Sequence, residues 1–166
     1  MQKANKALFL LSCFLVLQGA SFAAQPAGKL PLPRFASLRS GEVNMRRGPG
    51  TQYPLDWVYV RKDLPVEITS EFETWRQIRD VEGTQGWVHQ SMLSGKRCAM
   101  TYPTRGIVSL KDTADAQGGT LALLEPGAQG KILTCKGAWC KVQFERHKGW
   151  LKRQDMWGVY GSELIK

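Results

Sequence analysis

Apolar and polar residues alternate along this chain in short stretches, separated by clusters of glycine, proline and aspartate. Residues 42–45 put Val43 and Met45 on one face of an extended segment, because strand side chains repeat with a period of two. Residues 58–60, 66–69, 75–80 and 85–89 continue the pattern, and Val81-Glu82-Gly83-Thr84 closes the last two into a hairpin. Arg47-Gly48-Pro49-Gly50 is a turn cluster, since glycine reaches positive φ and proline presets its own. The pattern then recurs at residues 106–110, 120–124, 130–135, 139–144 and 149–152, so that Val43, Trp75 and Trp87 are answered by Val108, Trp139 and Trp150. Short strands with glycine-rich turns predict an all-β fold of two small barrels. Helix is confined to single turns near residues 90–93 and 154–156.

The first 23 residues stand apart from this pattern. Lys3 and Lys6 precede an apolar run over residues 7–17, and Ser21 and Ala23 supply the small residues of a cleavage site. Eleven residues are too few to span a bilayer, which takes about 20. A cleaved export signal over residues 1–23 is the expectation, with no transmembrane segment in the mature chain. Leu10-Leu11-Ser12-Cys13 loosely matches a lipoprotein box, which would anchor the chain at Cys13 instead. Residues 24–34 hold three prolines and read as an extended linker. Two modules follow, 35–97 and 98–166, with 94–97 as the single hinge-like stretch, so the modules are expected to pack together.

Charge narrows the setting. Lysine and arginine number 23 against 14 acidic residues, a net +9 that becomes +7 without Lys3 and Lys6. An exported basic protein is drawn to anionic envelope surfaces. Export and the lack of a recognised DNA- or RNA-binding motif argue against nucleic acid.

VNMRRGPGTQYP, the LPVEI segment, WRQI and GWVHQSML together resemble the bacterial SH3-like (SH3b) domain. Asn44, Met45, Arg46, Gly48, Pro49, Tyr53, Trp75, Ile78, Gly86, Trp87 and Val88 stand at the family's recurring places, and the likeness covers residues 43–93. The second copy keeps Val108, Leu110, Trp139, Val142, Gly149, Trp150 and Leu151, with Asp112-Thr113-Ala114 in place of the Arg-Gly-Pro loop. The tandem resembles exported proteobacterial proteins with paired SH3-like domains. The resemblance implies two SH3-like β-barrels, the second degenerate, that bind without catalysis. It implies peptidoglycan or an envelope protein or peptide as partner, in the periplasm or outside the cell. The other class the sequence admits is a structural or assembly accessory of the envelope, with a basic face on anionic polymers and no defined groove.

Particular residues carry the candidate chemistry. Arg46 and Arg47 can pair carboxylates, and Tyr53, Trp57, Trp75 and Trp87 offer flat platforms for sugars or prolines. Trp75 and Trp87 also read as core fillers, because tryptophan is highly buried on average. Tyr53 and Trp57, in or after the loop, favour binding. Cys135 and Cys140 bracket a four-residue loop between two expected strands, which can set them opposite each other as a disulfide. Cys98 is then the odd thiol. Cys98, Cys135, Cys140 and His147 make a numerical zinc set, but the spacing is loose and an oxidising compartment favours the disulfide. No metal, cofactor or catalytic triad is read from the chain; His89 and His147 are its two histidines.

Overall fold

The computed structural model describes residues 30–166. The expected export signal and residues 24–29 of the linker lie outside the described residues. The first module holds β1 (Arg34–Leu38), β2 (Val43–Arg46), β3 (Leu55–Tyr59), β4 (Pro65–Phe72), β5 (Trp75–Arg79), β6 (Gln85–His89) and β7 (Leu93–Ser94). The second holds β8 (Cys98–Thr101), β9 (Val108–Lys111), β10 (Thr120–Leu124), β11 (Gln129–Lys136), β12 (Trp139–Phe144), β13 (His147–Lys152) and β14 (Met156–Trp157). Single 3-10 turns at Gln90–Met92 and Arg153–Asp155 are the helical content of the described residues. The fold is all-β, and the internal repeat becomes two seven-stranded sheets of matching order, β3-β2-β6-β5-β4-β1-β7 and β10-β9-β13-β12-β11-β8-β14.

Alternation builds each core. Val43, Met45, Ile68, Ile78 and Val88 face inward with Leu38 and Val66 in the first module. Leu110, Ile132, Val142, Phe144 and Leu151 do the same in the second, joined by Cys135 and Cys140. Inward side chains from every strand of a sheet meet in one cluster, so each sheet curls into a barrel. The repeated Gly-Trp pair has a steric cause. A Cβ on Gly86 would lie 2.6 Å from Met45 Cγ, and one on Gly149 would lie 2.6 Å from the Lys111 carbonyl oxygen. Only glycine lets the neighbouring strand approach this closely.

β1 and β8 were not legible as strands, and their burial explains why. Neither shows clean alternation, since all but Arg34 of their residues are buried. Ala36 and Leu38 face the first core and Ala99 the second. Phe35 instead packs on Trp157 and Tyr160 of the second module, with ring centroids 4.9 and 4.7 Å away. Pro65 opens β4, pairing with Ser37 of β1, in keeping with the confinement of proline to strand starts and edges.

The C-terminal segment ties the modules together. Trp157 Nε1 donates to the Pro65 carbonyl at 3.1 Å, and the Tyr160 hydroxyl donates to Glu67 Oε1 at 2.8 Å. Arg97 pairs with Glu163 and donates to the Gly158 carbonyl at 2.7 Å. Arg153, itself buried, donates to the carbonyls of Gly137, Tyr160 and Glu163 at 2.6–2.8 Å. Gly158 has φ +113°, and a Cβ there would sit 2.3 Å from the Cys98 carbonyl oxygen.

Candidate functional site

The Arg-Gly-Pro loop between β2 and β3 is braced from within. Arg46 Nη1 donates to the Tyr53 carbonyl at 2.6 Å, the Arg47 amide donates to the Pro54 carbonyl at 3.2 Å, and Arg47 Nε donates to Asp56 Oδ1 at 2.9 Å. The Tyr53 ring covers Gly48 so closely that a Cβ there would meet its ring carbons at 2.4 Å. Both arginines spend donors on the loop, and Tyr53 keeps 40% of its surface exposed.

Trp57 lies across from Met45, and Tyr59 across from Val43, so both share the inward face of β3. Tyr59 is 6% exposed whereas Trp57, nearer the open end, is 55% exposed. Between Trp57 and the β5–β6 hairpin runs a groove of ≈ 320 Å³. Pro65, Arg61 and Glu82 line it together with Met100 and Pro103, which the second module contributes. Asp80 is spoken for, accepting from the Tyr59 hydroxyl at 2.9 Å and from the Glu82 and Thr84 amides at 3.0 and 2.9 Å. Burial, and then the adjacent Asp80 carboxylate, push the Tyr59 hydroxyl well above its ordinary range, so it stays a donor. The groove offers an indole face, apolar walls, the Glu82 carboxylate and the Arg61 guanidinium, which also donates to the Gly127 carbonyl at 3.3 Å.

Trp75 and Trp87 do not fill the core as tryptophan's average burial suggested. Each is half-buried on the outward face of the sheet, since Ile78 and Val88 take the inward positions beside them. Trp75 meets His89 edge-on at 5.6 Å, and Trp87 stands across from Arg46 and Gln77. The six sequence candidates therefore divide. Arg46, Arg47 and Tyr53 form the loop, Trp57 borders the groove, and Trp75 and Trp87 lie on the outer sheet. In the sequence Glu82 reads as part of the hairpin turn and not as a site residue, and Met100 and Pro103 were not legible because the second module reaches the groove through strand pairings remote in sequence.

Cys135 and Cys140 are bonded, paired across β11 and β12 with Cα atoms 4.0 Å apart. Cys98 is a buried free thiol, raised above its ordinary pKa by burial. Among the described residues there is no group of three or more metal-ligating side chains and no helix long and apolar enough to cross a membrane.

The family model for the bacterial SH3 domain matches residues 39–95 and 107–158. These two stretches cover more than half of the chain, and the protein belongs to that family. Bacterial SH3 domains are commonly cell-wall binding modules and often bind peptidoglycan. No curated protein matches the chain. Among solved structures, NlpC1 from Trichomonas vaginalis is similar at 9% identity and TM-score 0.33, over 78% of this chain and 47% of that one. NlpC2 from Trichomonas vaginalis is similar at 10% identity and TM-score 0.35, over 81% of this chain and 52% of that one. The chain spans about half the length of these structures.

Proposed function

We propose that this is an exported, non-catalytic binding protein that recognises a cell-wall peptide or glycan, or an envelope protein, through the groove beside Trp57. The observation that carries the reading is an indole 55% exposed at the edge of a groove of ≈ 320 Å³. A groove of this size, walled by aromatic and apolar side chains with a few polar groups, is how small-ligand sites are generally built. Arg61 and Glu82 on the same walls suit a ligand with a free carboxylate and a free amine, the two charged ends a wall peptide presents. Tyr53 extends the aromatic surface along the loop. Sedimentation with purified peptidoglycan sacculi tests it. Wild type pellets with the sacculi and Trp57→Ala stays in the supernatant; equal pelleting of both removes the groove from the account.

A further inference from the structure

The outer sheet of the second module carries a surface that the first module lacks. Three rows cross its strands. Lys131, Gln143 and Lys148 form one, Thr134, Lys141, Trp150 and Lys111 the next, and Lys136, Trp139 and Lys152 the third. All point away from the core, because Ile132, Val142, Leu151, Cys135 and Cys140 occupy the alternate, buried positions. The face thus holds six lysines around two tryptophans.

Its counterpart in the first module shows what changed. The equivalent rows there are Glu67, Arg79 and Gln85; then Ser70, Gln77, Trp87 and Arg46; then Phe72, Trp75 and His89. Both tryptophans are shared. Five positions around them hold Lys131, Lys136, Lys141, Lys148 and Lys152 in the second module, where the first has Glu67, Phe72, Gln77, Gln85 and His89. That first-module face is also partly occupied, with Tyr160 on Glu67 and Trp157 under Arg79 at 6.0 Å.

The second-module face is open and unneutralised. Lys131, Lys136, Lys141 and Lys148 are exposed, and none of the five lysines forms an ion pair among the described residues. Lys152 Nζ lies 5.5 Å from the Trp139 ring centroid, and Lys111 Nζ donates to the Gly118 carbonyl at 3.0 Å. Beside Trp139 a depression of ≈ 190 Å³ is lined by Ser109, Lys111, Lys152 and Asp155. Asp155 lies near Arg105 at 3.6 Å, and Glu145 shares a neighbouring depression with Lys131 and Gln143 at the end of the first row without forming an ion pair there.

We propose that this face binds an anionic glycan, a saccharide chain bearing carboxylates or phosphates. Uncompensated lysines across three strands match a polymer with repeated negative charge rather than a single ion. The two tryptophans supply platforms for the apolar faces of sugar rings. Both are half-buried within the lysine rows, and the exposed leucines of this sheet, Leu121 and Leu123, lie apart from them on its edge strand β10. The proposal does not depend on the groove beside Trp57, and its readouts lie in the other module.

The test follows the Trp139 and Trp150 indole resonances and measures affinity on the full chain. The probes are polygalacturonate, neutral dextran, vesicles of equimolar phosphatidylcholine and phosphatidylglycerol, and oligodeoxythymidylate. Polygalacturonate is expected to shift both indoles, with dextran leaving them in place. The Lys141→Gln, Lys148→Gln variant should bind about thirtyfold more weakly, the loss of two surface lysine contacts. Arg39→Gln with Arg76→Gln removes the same charge from the first module, where Arg39 donates to the Leu93 carbonyl and Arg76 to Gln90, and should bind as wild type. Indoles unmoved by polygalacturonate, or equal weakening in the control variant, would overturn the proposal. So would vesicles or the oligonucleotide moving these indoles at lower concentration than the glycan does.

Discussion

Replacing Trp157 with alanine removes one of the two aromatic side chains, with Tyr160, by which the second module holds the first. The ring packs edge-on against Phe35 at 4.9 Å, donates to the Pro65 carbonyl at 3.1 Å and lies under the Arg79 guanidinium. The aromatic pair is worth about 1 kcal/mol beyond burial, and the neutral hydrogen bond about 1 kcal/mol. A fully buried large aromatic costs about 3–5 kcal/mol on truncation; Trp157 is half-buried, which places the total near the bottom of that range. In a chain of this size about 3 kcal/mol lowers Tm by roughly 6–12 °C. Calorimetry of wild type and Trp157→Ala reads this directly. Because the lost contacts lie between modules, the variant should also unfold in two steps. A Tm within about 2 °C of wild type, with one unbroken transition, would refute the idea that this ring couples the barrels.

Other outcomes follow from the same contacts. Gly158→Ala places a Cβ against the Cys98 carbonyl at a positive φ and should cost at least about 2 kcal/mol in denaturant unfolding. Non-reducing mass spectrometry should find Cys135 joined to Cys140, and reduction should lower stability by about 2 kcal/mol for so short a loop. In a chain beginning at Ala24, a thiol reagent should leave Cys98 unmodified until the protein unfolds. Burial alone would raise the Glu163 carboxyl, but hydrogen bonding and charge from Arg97 prevail and hold it below its ordinary 4.5. That ion pair therefore stabilises the fold above pH 4.5 and weakens as pH falls through the lowered value. Acid unfolding of Glu163→Gln should show a shallower loss of stability below pH 4.5 than wild type.

How much of this was legible in the sequence divides along physical lines. The hairpins around Trp75, Trp87, Trp139 and Trp150 announced themselves, because one face of each strand is buried and the alternation is plain. The Cys135–Cys140 pair was readable for the same reason, since a short loop between two adjacent strands leaves few alternatives. β1 and β8 hid because both faces are buried, one on each module, which erases the period of two. The outward placement of the tryptophans was missed because average burial speaks to residue type, whereas Ile78, Val88, Val142 and Leu151 had already taken the inward places. The second module's share of the groove, Met100 and Pro103, depends on pairings between strands far apart in the chain. The duplication itself shows more asymmetry in three dimensions than in the motifs. The first copy offers a groove, and the second carries lysines around the same pair of tryptophans.

The central claim is that the groove beside Trp57 takes a wall-derived ligand. Titrating soluble peptidoglycan fragments into isotope-labelled protein, and following the tryptophan indoles with the Val81 and Glu82 amides, tests it most directly. The account predicts saturable shifts at Trp57, Val81 and Glu82 that persist at about 1 M salt, where exposed charge attraction is screened. Shifts confined to lysine-bearing strands that vanish at that salt, with the Trp57 indole unmoved, would contradict it.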